Sequence, residues 1–268
     1  MASPIPSRYF PDGALVLDEI IASTRRRLDD LRARESELRA LPAVGPRRDF
    51  ESALGRGGRH VIAEFKRRSP SRGELAAGLK PAPTARQYAA GGASALSVLT
   101  EPDHFLGSPA DLVAAREATN LPVLRKDFIL EAVQIWEARA MGADAVLLIV
   151  ALLGDAVLTE LILEAKREGL AALVEVHDED EVRRALEAGA GLVGVNNRDL
   201  TTFQVDLGTA ERLAPRLEGV VRVAESSIAS AADAARMWAV GFDAILVGES
   251  LLRSGDPGRL IAELKAAS

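Results

Sequence analysis

Two lysines stand where an arginine-rich chain has no need of them for solubility alone. The 268-residue sequence holds 5 Lys against 28 Arg, and Lys66 and Lys126 sit at or near the ends of the apolar runs HVIAEFK and LPVLRKDF. A compact ammonium can give up a proton, whereas a guanidinium stays charged, so the placement points to proton chemistry. Acidic and amide groups occupy comparable points of other apolar runs: Glu64 two residues before Lys66, Glu175 in LVEVHD, Asn196 in LVGVNNRDL and Glu225 in VRVAESS. Brought together in a low-dielectric setting, such groups shift one another toward the pKa values that proton transfer requires. They could instead fill an interior with ion pairs, but buried ion pairs add little net stability over apolar packing, which favours catalysis.

Only a fold that gathers the ends of distant strands can use these residues jointly. From His60 onward, short β-rich runs alternate with amphipathic segments of helical period. Eight strands are predicted: HVIAEFK, ALSVLT, PVLRKDF, AVLLIV, ALVEV, LVGVNN, VRVAES and AILVGE. A helix is predicted over Asp155 to Glu168, with Val157, Leu158, Leu161, Ile162 and Ala165 as its buried stripe. Asp178 and Ser230 are placed to cap helices, Ser230 with Asp233 three residues on. Gly142, Gly169, Gly189 and Gly241 each precede a strand, where glycine supplies the left-handed conformation that ends a helix. Near-continuously apolar strands must be covered on both faces, and no G-x-G-x-x-G follows the first strand. An α/β fold of the (β/α)₈ TIM-barrel type is therefore expected over an open doubly wound sheet. In such a barrel the C-terminal strand ends converge on one mouth, and Glu64 and Lys66, sharing strand parity, both point inward.

Residues 1–59 read as a helical extension and connector to a single barrel domain spanning 1–268. One helix is expected from about Leu15 to Leu41, with Leu17, Ile20, Ile21, Leu28, Leu31 and Leu38 near one face and Arg25, Arg26 and Arg27 on the way round. It either packs on the barrel with a solvated basic face or acts as a lid over the mouth. PAVGPRRDFESALGRGG, rich in Pro and Gly, reads as a connector.

Composition narrows the function. Zero cysteines exclude disulfides, thiol nucleophiles and thiolate metal sites. A net charge of −6 and 4% aromatic residues oppose nucleic-acid binding. No apolar stretch approaches the ~20 residues that span a bilayer, and no secretory leader is apparent, so a soluble cytoplasmic protein without a membrane partner is expected; a monomer is compatible with everything here. Ser226 and Ser227 after the seventh strand, and Gly248, Glu249 and Ser250 after the eighth, stand where such barrels hold phosphate on backbone N–H groups; ordinary loop and cap usage explains the same residues equally well. His177, beside carboxylates but no thiols, makes a poor metal ligand and is expected to cap or lie at the surface. Phe105 and Phe128 either join the core or wall a ring-bearing ligand.

Seven segments, AEFKRRSPSRG, LSVLTEPDHFLGS, PVLRKDFI, ALVEVHD, GVNNRDLTTF, VAESSI and AILVGESLLR, occur in order across the chain. Together they closely resemble the hallmark stretches of the indole-3-glycerol phosphate synthase family of tryptophan biosynthesis. The resemblance implies a (β/α)₈ barrel with an N-terminal helical segment and no metal or coenzyme. It implies conversion of 1-(2-carboxyphenylamino)-1-deoxyribulose 5-phosphate to indole-3-glycerol phosphate, with ring closure and loss of CO₂ and water. By resemblance Lys126 is the general acid on the ketone, Lys66 holds the substrate carboxylate, and Glu175 serves as acid or base. Glu64 and Asn196 orient these groups, and Glu225 completes the polar ring. Ser69, Ser226, Gly248 and their neighbours Ser227 and Glu249 hold the phosphate; Phe105, Phe128 and Leu200 wall the aromatic ring, and Arg198 contacts substrate. Two positions depart from the family pattern: Ser227 replaces a glycine and Arg68 a lysine, the former penalised if the backbone there needs positive φ. A Schiff-base aldolase using Lys126 as nucleophile, and a noncatalytic metabolite-binding barrel, are the rival readings. An isomerase that relies on a cysteine is excluded.

Overall fold

The structure, a computed structural model, describes residues 14–55, 57–70, 73–76, 78–199 and 204–268. All eight predicted strands form: β1 (His60–Phe65), β2 (Ala95–Leu99), β3 (Val123–Lys126), β4 (Ala145–Ile149), β5 (Ala171–Val176), β6 (Leu192–Asn196), β7 (Val221–Glu225) and β8 (Ala244–Val247). Each pairs in parallel with its neighbours, and β1 pairs with both β2 and β8, closing the barrel. Val, Ile, Leu and Ala dominate the strands because one face fills the interior while the other packs under helices, and these residues form one continuous core. The register sets Leu99 opposite Lys126, Ile149 opposite Glu175, and Asn196 opposite Glu225. The polar groups therefore gather at the C-terminal rim.

Local signals behave as their chemistry requires. Asp178 accepts a hydrogen bond from the Glu181 N–H, and Ser230 and Asp233 form a reciprocal capping box. Gly142, Gly169, Gly189 and Gly241 all have positive φ. The helix Asp155–Arg167 buries Leu158, Leu161, Ile162 and Ala165. Val157 does not belong to that stripe: it is exposed, because it lies a full 100° round from Leu158 on the solvent side.

The N-terminal region differs from one continuous helix. α1 (Ala14–Ala33) ends at a turn through Arg34, and α2 (Glu35–Ala40) follows. In a straight helix Leu38 would lie about 80° round from Leu28; the break returns it to a cluster with Leu28, Val133 and Trp136. The outer half of α1 thus packs on the helix Ala132–Ala140, while Val16, Leu17 and Ile20 near its start edge the cavity at the barrel mouth. Packing on the barrel and edging the cavity are shared along one helix. Three links fasten it to loops at the mouth: Ser23 to Asp103, Arg27 to Asp127 at 3.3 Å, and Arg32 to Glu131.

The connector is more than a linker. Phe50 and Leu54 are fully buried in it, and its backbone is held at the opposite end of the barrel by two aspartates that each precede a strand. Asp144 accepts from Arg48 N and Val123 N; Asp243 accepts from Gly57 N and Arg222 N. Both occur as Gly-x-Asp-Ala, Gly142–Ala145 and Gly241–Ala244, a half-barrel repeat. Because Phe50 packs in the main core, Phe50→Ala is expected to destabilise by about 3–5 kcal/mol, read from urea denaturation; a loss under ~1 kcal/mol would show that this segment is peripheral.

Candidate active site

Two sets of polar contacts gather the ends of five strands at the rim. Glu64 at the end of β1 receives Lys66 Nζ at 2.6 Å on Oε1 and Lys126 Nζ at 3.2 Å on Oε2. From β3, Lys126 also donates to Glu225 Oε2 of β7 at 2.9 Å. On the other side of the mouth Asn196 Nδ2 donates to Glu175 Oε1 at 3.1 Å, and Asn196 Oδ1 accepts from Ser226 Oγ at 2.7 Å. Two inward glycines leave room for these side chains. A Cβ on Gly194 would stand 2.1 Å from Glu225 Oε1, and one on Gly248 2.5 Å from Glu64 Oε1.

Above the ring lies a cavity of about 930 Å³. It is lined by Glu64, Lys66, Ser69, Phe105, Lys126, Phe128, Glu175, Asn196, Arg198, Ser226, Ser227, Gly248 and Glu249. Glu225 is the exception among the expected catalytic residues: it lies beneath the floor, 1% exposed, and reaches the cavity only through Lys126. Leu200 lies outside the described residues. The rings of Phe105 and Phe128 approach to 6.1 Å at a 39° tilt, forming one apolar wall. Glu101 builds that wall, because its buried carboxylate accepts the N–H groups of Asp103, His104 and Phe105 and so fixes the short helix Pro102–Phe105. Opposite, the loops after β7 and β8 are tied by Ser250 Oγ donating to the Ile228 carbonyl at 2.9 Å. Ser69 Oγ is buried and lacks a hydrogen-bond partner, leaving it available to a ligand.

Charge in the ring is unevenly shared. Burial alone would raise Glu64, but the adjacent ammoniums of Lys66 and Lys126 outweigh it and hold the carboxyl at about 2. Burial would lower Lys126; Glu225, Glu64 and Glu175 around it raise it instead, so the ammonium stays protonated. Glu225 moves the opposite way from its partner. Burial, with Glu175 and Glu64 nearby, pushes it up to about 7 despite Lys126. The two shifts are compatible because three carboxylates compete for Lys126, and Glu225, with Oε1 unpartnered, carries the excess. Glu175 is held below its ordinary value: burial raises it, but His177, Lys126 and Asn196 prevail.

Several contributors escaped sequence reasoning. His177 neither caps nor lies at the surface; it is partly buried between Glu175 and Glu181. Asn197 is 2% exposed and donates to the Glu225 carbonyl at 3.0 Å while its Oδ1 accepts from Ala210 N at 3.0 Å, fixing the loop after β7. The doubled asparagine in LVGVNN was the available signal, and a glycine inside an apolar strand was the signal for Gly194. Arg68, one of the two departures, is exposed on a small hairpin and does not line the cavity.

The chain matches the indole-3-glycerol phosphate synthase family over residues 17–264. It belongs to that family. Indole-3-glycerol phosphate synthase 1 of Streptomyces coelicolor is 51% identical over 256 residues, covering 94% of this chain and 95% of the relative. Indole-3-glycerol phosphate synthase of a Nocardioides species is 53% identical over 249 residues, covering 90% and 95%. Among solved structures, 3-hexulose-6-phosphate synthase from Salmonella typhimurium superposes with a TM-score of 0.63 at 16% identity over 78% of this chain and 97% of that one, a likeness of fold.

Within the indole-3-glycerol phosphate synthase family pattern, Ser227 is the departure that touches the cavity. Ser226 and Ser227 have φ of +68° and +59°, the left-handed region that disfavours any residue with a Cβ. Ser227→Gly is therefore expected to stabilise by up to ~1 kcal/mol and to bind a phosphorylated ligand equally or more tightly, by calorimetry. Weaker binding would identify the Ser227 hydroxyl as a ligand in its own right. Gly194→Ala tests the floor: it should displace Glu225 and lower turnover by at least ~10-fold, since misplacing a catalytic group by about 1 Å is already costly. Unchanged turnover would show that Glu225 need not be held there.

Proposed function

We propose that this chain is an indole-3-glycerol phosphate synthase, closing the indole ring of 1-(2-carboxyphenylamino)-1-deoxyribulose 5-phosphate with loss of CO₂ and water in tryptophan biosynthesis. The observation that carries the reading is a protonated Lys126 facing a cavity with an aromatic wall on one side and paired loops of the phosphate-binding kind on the other. Phe105 and Phe128 hold the carboxyphenyl ring. Ser69, Ser226 and the N–H groups of the loops after β7 and β8 hold the phosphate, with Arg198 as a further substrate contact. Lys66 takes the ring carboxylate.

As the aromatic carbon attacks the ketone, Lys126 gives its proton to the carbonyl oxygen, so that the new hydroxyl forms without an alkoxide. Carbon dioxide then leaves with its bonding pair returned to the ring. In the dehydration that follows, the Lys66 ammonium protonates the hydroxyl, which departs as water, and the adjacent carbon loses one proton as the ring double bond forms, so one proton is taken up and one is released. Glu175, ionised and oriented by Asn196, handles the released proton. Glu64 stays ionised and orients both lysines, while Glu225 positions Lys126 from beneath. The same electrostatics oppose an aldolase, since a Schiff-base lysine needs a depressed pKa and the carboxylates around Lys126 raise it. We place the reaction in the cytoplasm, on a freely diffusing substrate; no helix among the described residues is long and apolar enough to cross a membrane.

Indole product fluorescence from the carboxyphenylamino substrate tests the activity directly. Lys126→Ala should lower kcat by at least ~10² with folding intact, and Lys126→Arg should rescue poorly because guanidinium keeps charge without a transferable proton. Near-normal turnover of Lys126→Ala removes it from the mechanism. Glu175→Gln should depress kcat far more than it raises KM; a loss confined to KM would make Glu175 a binding residue.

A further inference from the structure

His177 follows β5 directly and does not line the cavity, yet it stands against the residue to which proton transfer is assigned. Its Nε2 faces Glu175 Oε1 at 3.4 Å. Its Nδ1 meets Glu181 Oε2 at 2.9 Å, and the same oxygen accepts the His177 backbone N–H at 2.8 Å. Glu181 is itself fixed, because its N–H is donated to Asp178 at the start of the helix Glu179–Glu187. The order carboxylate, imidazole, carboxylate runs from the helix to the catalytic rim, with the ring partly buried in between. Nδ1 is hydrogen-bonded to Glu181, while Nε2 makes no hydrogen bond and faces the Glu175 carboxylate at ion-pair distance, and with an acceptor before each nitrogen the doubly protonated imidazolium suits both.

We propose that His177 is a positioning residue for Glu175: an imidazolium held by Glu181, it fixes the direction of the Glu175 carboxylate and keeps it ionised from outside the substrate cavity. The inference rests on the role given to Glu175 above. The other groups facing that carboxylate are Lys126 from β3, Asn196 from β6 and the competing carboxylate of Glu225 from β7; on the β4 side its register partner is the apolar Ile149. Burial would lower His177, but Glu175 and Glu181 raise it to about 10. Its charge is therefore present throughout neutral pH and is lost only as pH rises through that value.

Two substitutions divide the histidine's contacts. In His177→Asn the amide falls near Nδ1 and keeps the Glu181 link; in His177→Gln it falls near Nε2 and keeps an N–H toward Glu175, and neither carries charge. Both should move the acidic limb of the kcat profile to higher pH by about one unit or more, because an opposite charge at this range lowers a carboxyl by ~1–3 units. His177→Gln should keep more kcat than His177→Asn, with KM little changed in either. A purely structural histidine predicts a wild-type limb in His177→Asn, and that result overturns the proposal. Imidazole NMR on the unliganded wild-type enzyme, which has 3 histidines to assign, supplies a test independent of turnover. His177 should remain doubly protonated above pH ~9, and titration near the ordinary ~6.5 would overturn the proposal even if both variants were slow. If His177 titrates high and Glu175→Gln keeps full kcat, the role of Glu175 fails and the proposal falls with it.

Discussion

The ammonium of Lys126, held between Glu64 and Glu225, is the contact on which the rest of the site depends. Its three members come from β3, β1 and β7, and no local segment could assemble them. Only closure of the barrel brings these strand ends within a few ångströms of one another, and it does so in a setting where water cannot screen the charges. An isolated ammonium there would lose its proton and an isolated carboxylate would gain one. Lys126 and Glu64 hold one another in their charged forms while Glu225 is pushed up, so the protonation pattern is a property of the fold.

That mutual dependence leaves a remainder. Glu64, Glu175 and Glu225 face Lys66 and Lys126, so the ring holds one carboxylate more than it has lysines. Two outlets exist. Glu225, deepest and with one oxygen unpartnered, is raised toward neutrality, and Glu175 is served by a cation from outside the cavity, His177. The arrangement separates two carboxylates that would otherwise compete for one ammonium: one beside a histidine is held below its ordinary value, the other is pushed up to about 7. A division of this kind, by environment and not by residue type, is how two carboxyls take different roles in proton transfer.

The barrel and most of the rim could be read from the amino-acid order because both follow short-range rules. Apolar runs of four to six residues, five of them carrying a polar group at or near the end and four preceded by a glycine that ends a helix, specify strand ends and hence a mouth. What escaped depends on contacts between segments far apart. His177 looked like a cap because Asp178 beside it is one; only the fold shows the ring turned inward to Glu175. Glu225 shares inward parity with the catalytic set, but depth in the barrel is set by how strands stagger, which periodicity does not carry. The break at Arg34 has no proline or glycine to announce it, and its cause is the distant Trp136 cluster. Leu200, expected on the aromatic wall, falls outside the described residues.

The two ends of the barrel are built on different principles. At the end away from the cavity, Asp144 and Asp243 spend their oxygens on backbone N–H groups of the connector and of neighbouring strands. At the cavity end two serines sit at positive φ, Ser69 and Glu225 keep unpartnered oxygens, and like charges are crowded together. These features oppose folding and are tolerated because the far end and the continuous apolar core over-determine the barrel. α1 is anchored by apolar packing at Leu28 yet presents Val16, Leu17 and Ile20 to the cavity. The Arg27 to Asp127 link therefore ties the helix that edges the cavity to the residue next to Lys126, so the placement of α1 and that of the Lys126 ammonium are joined through one covalent neighbour.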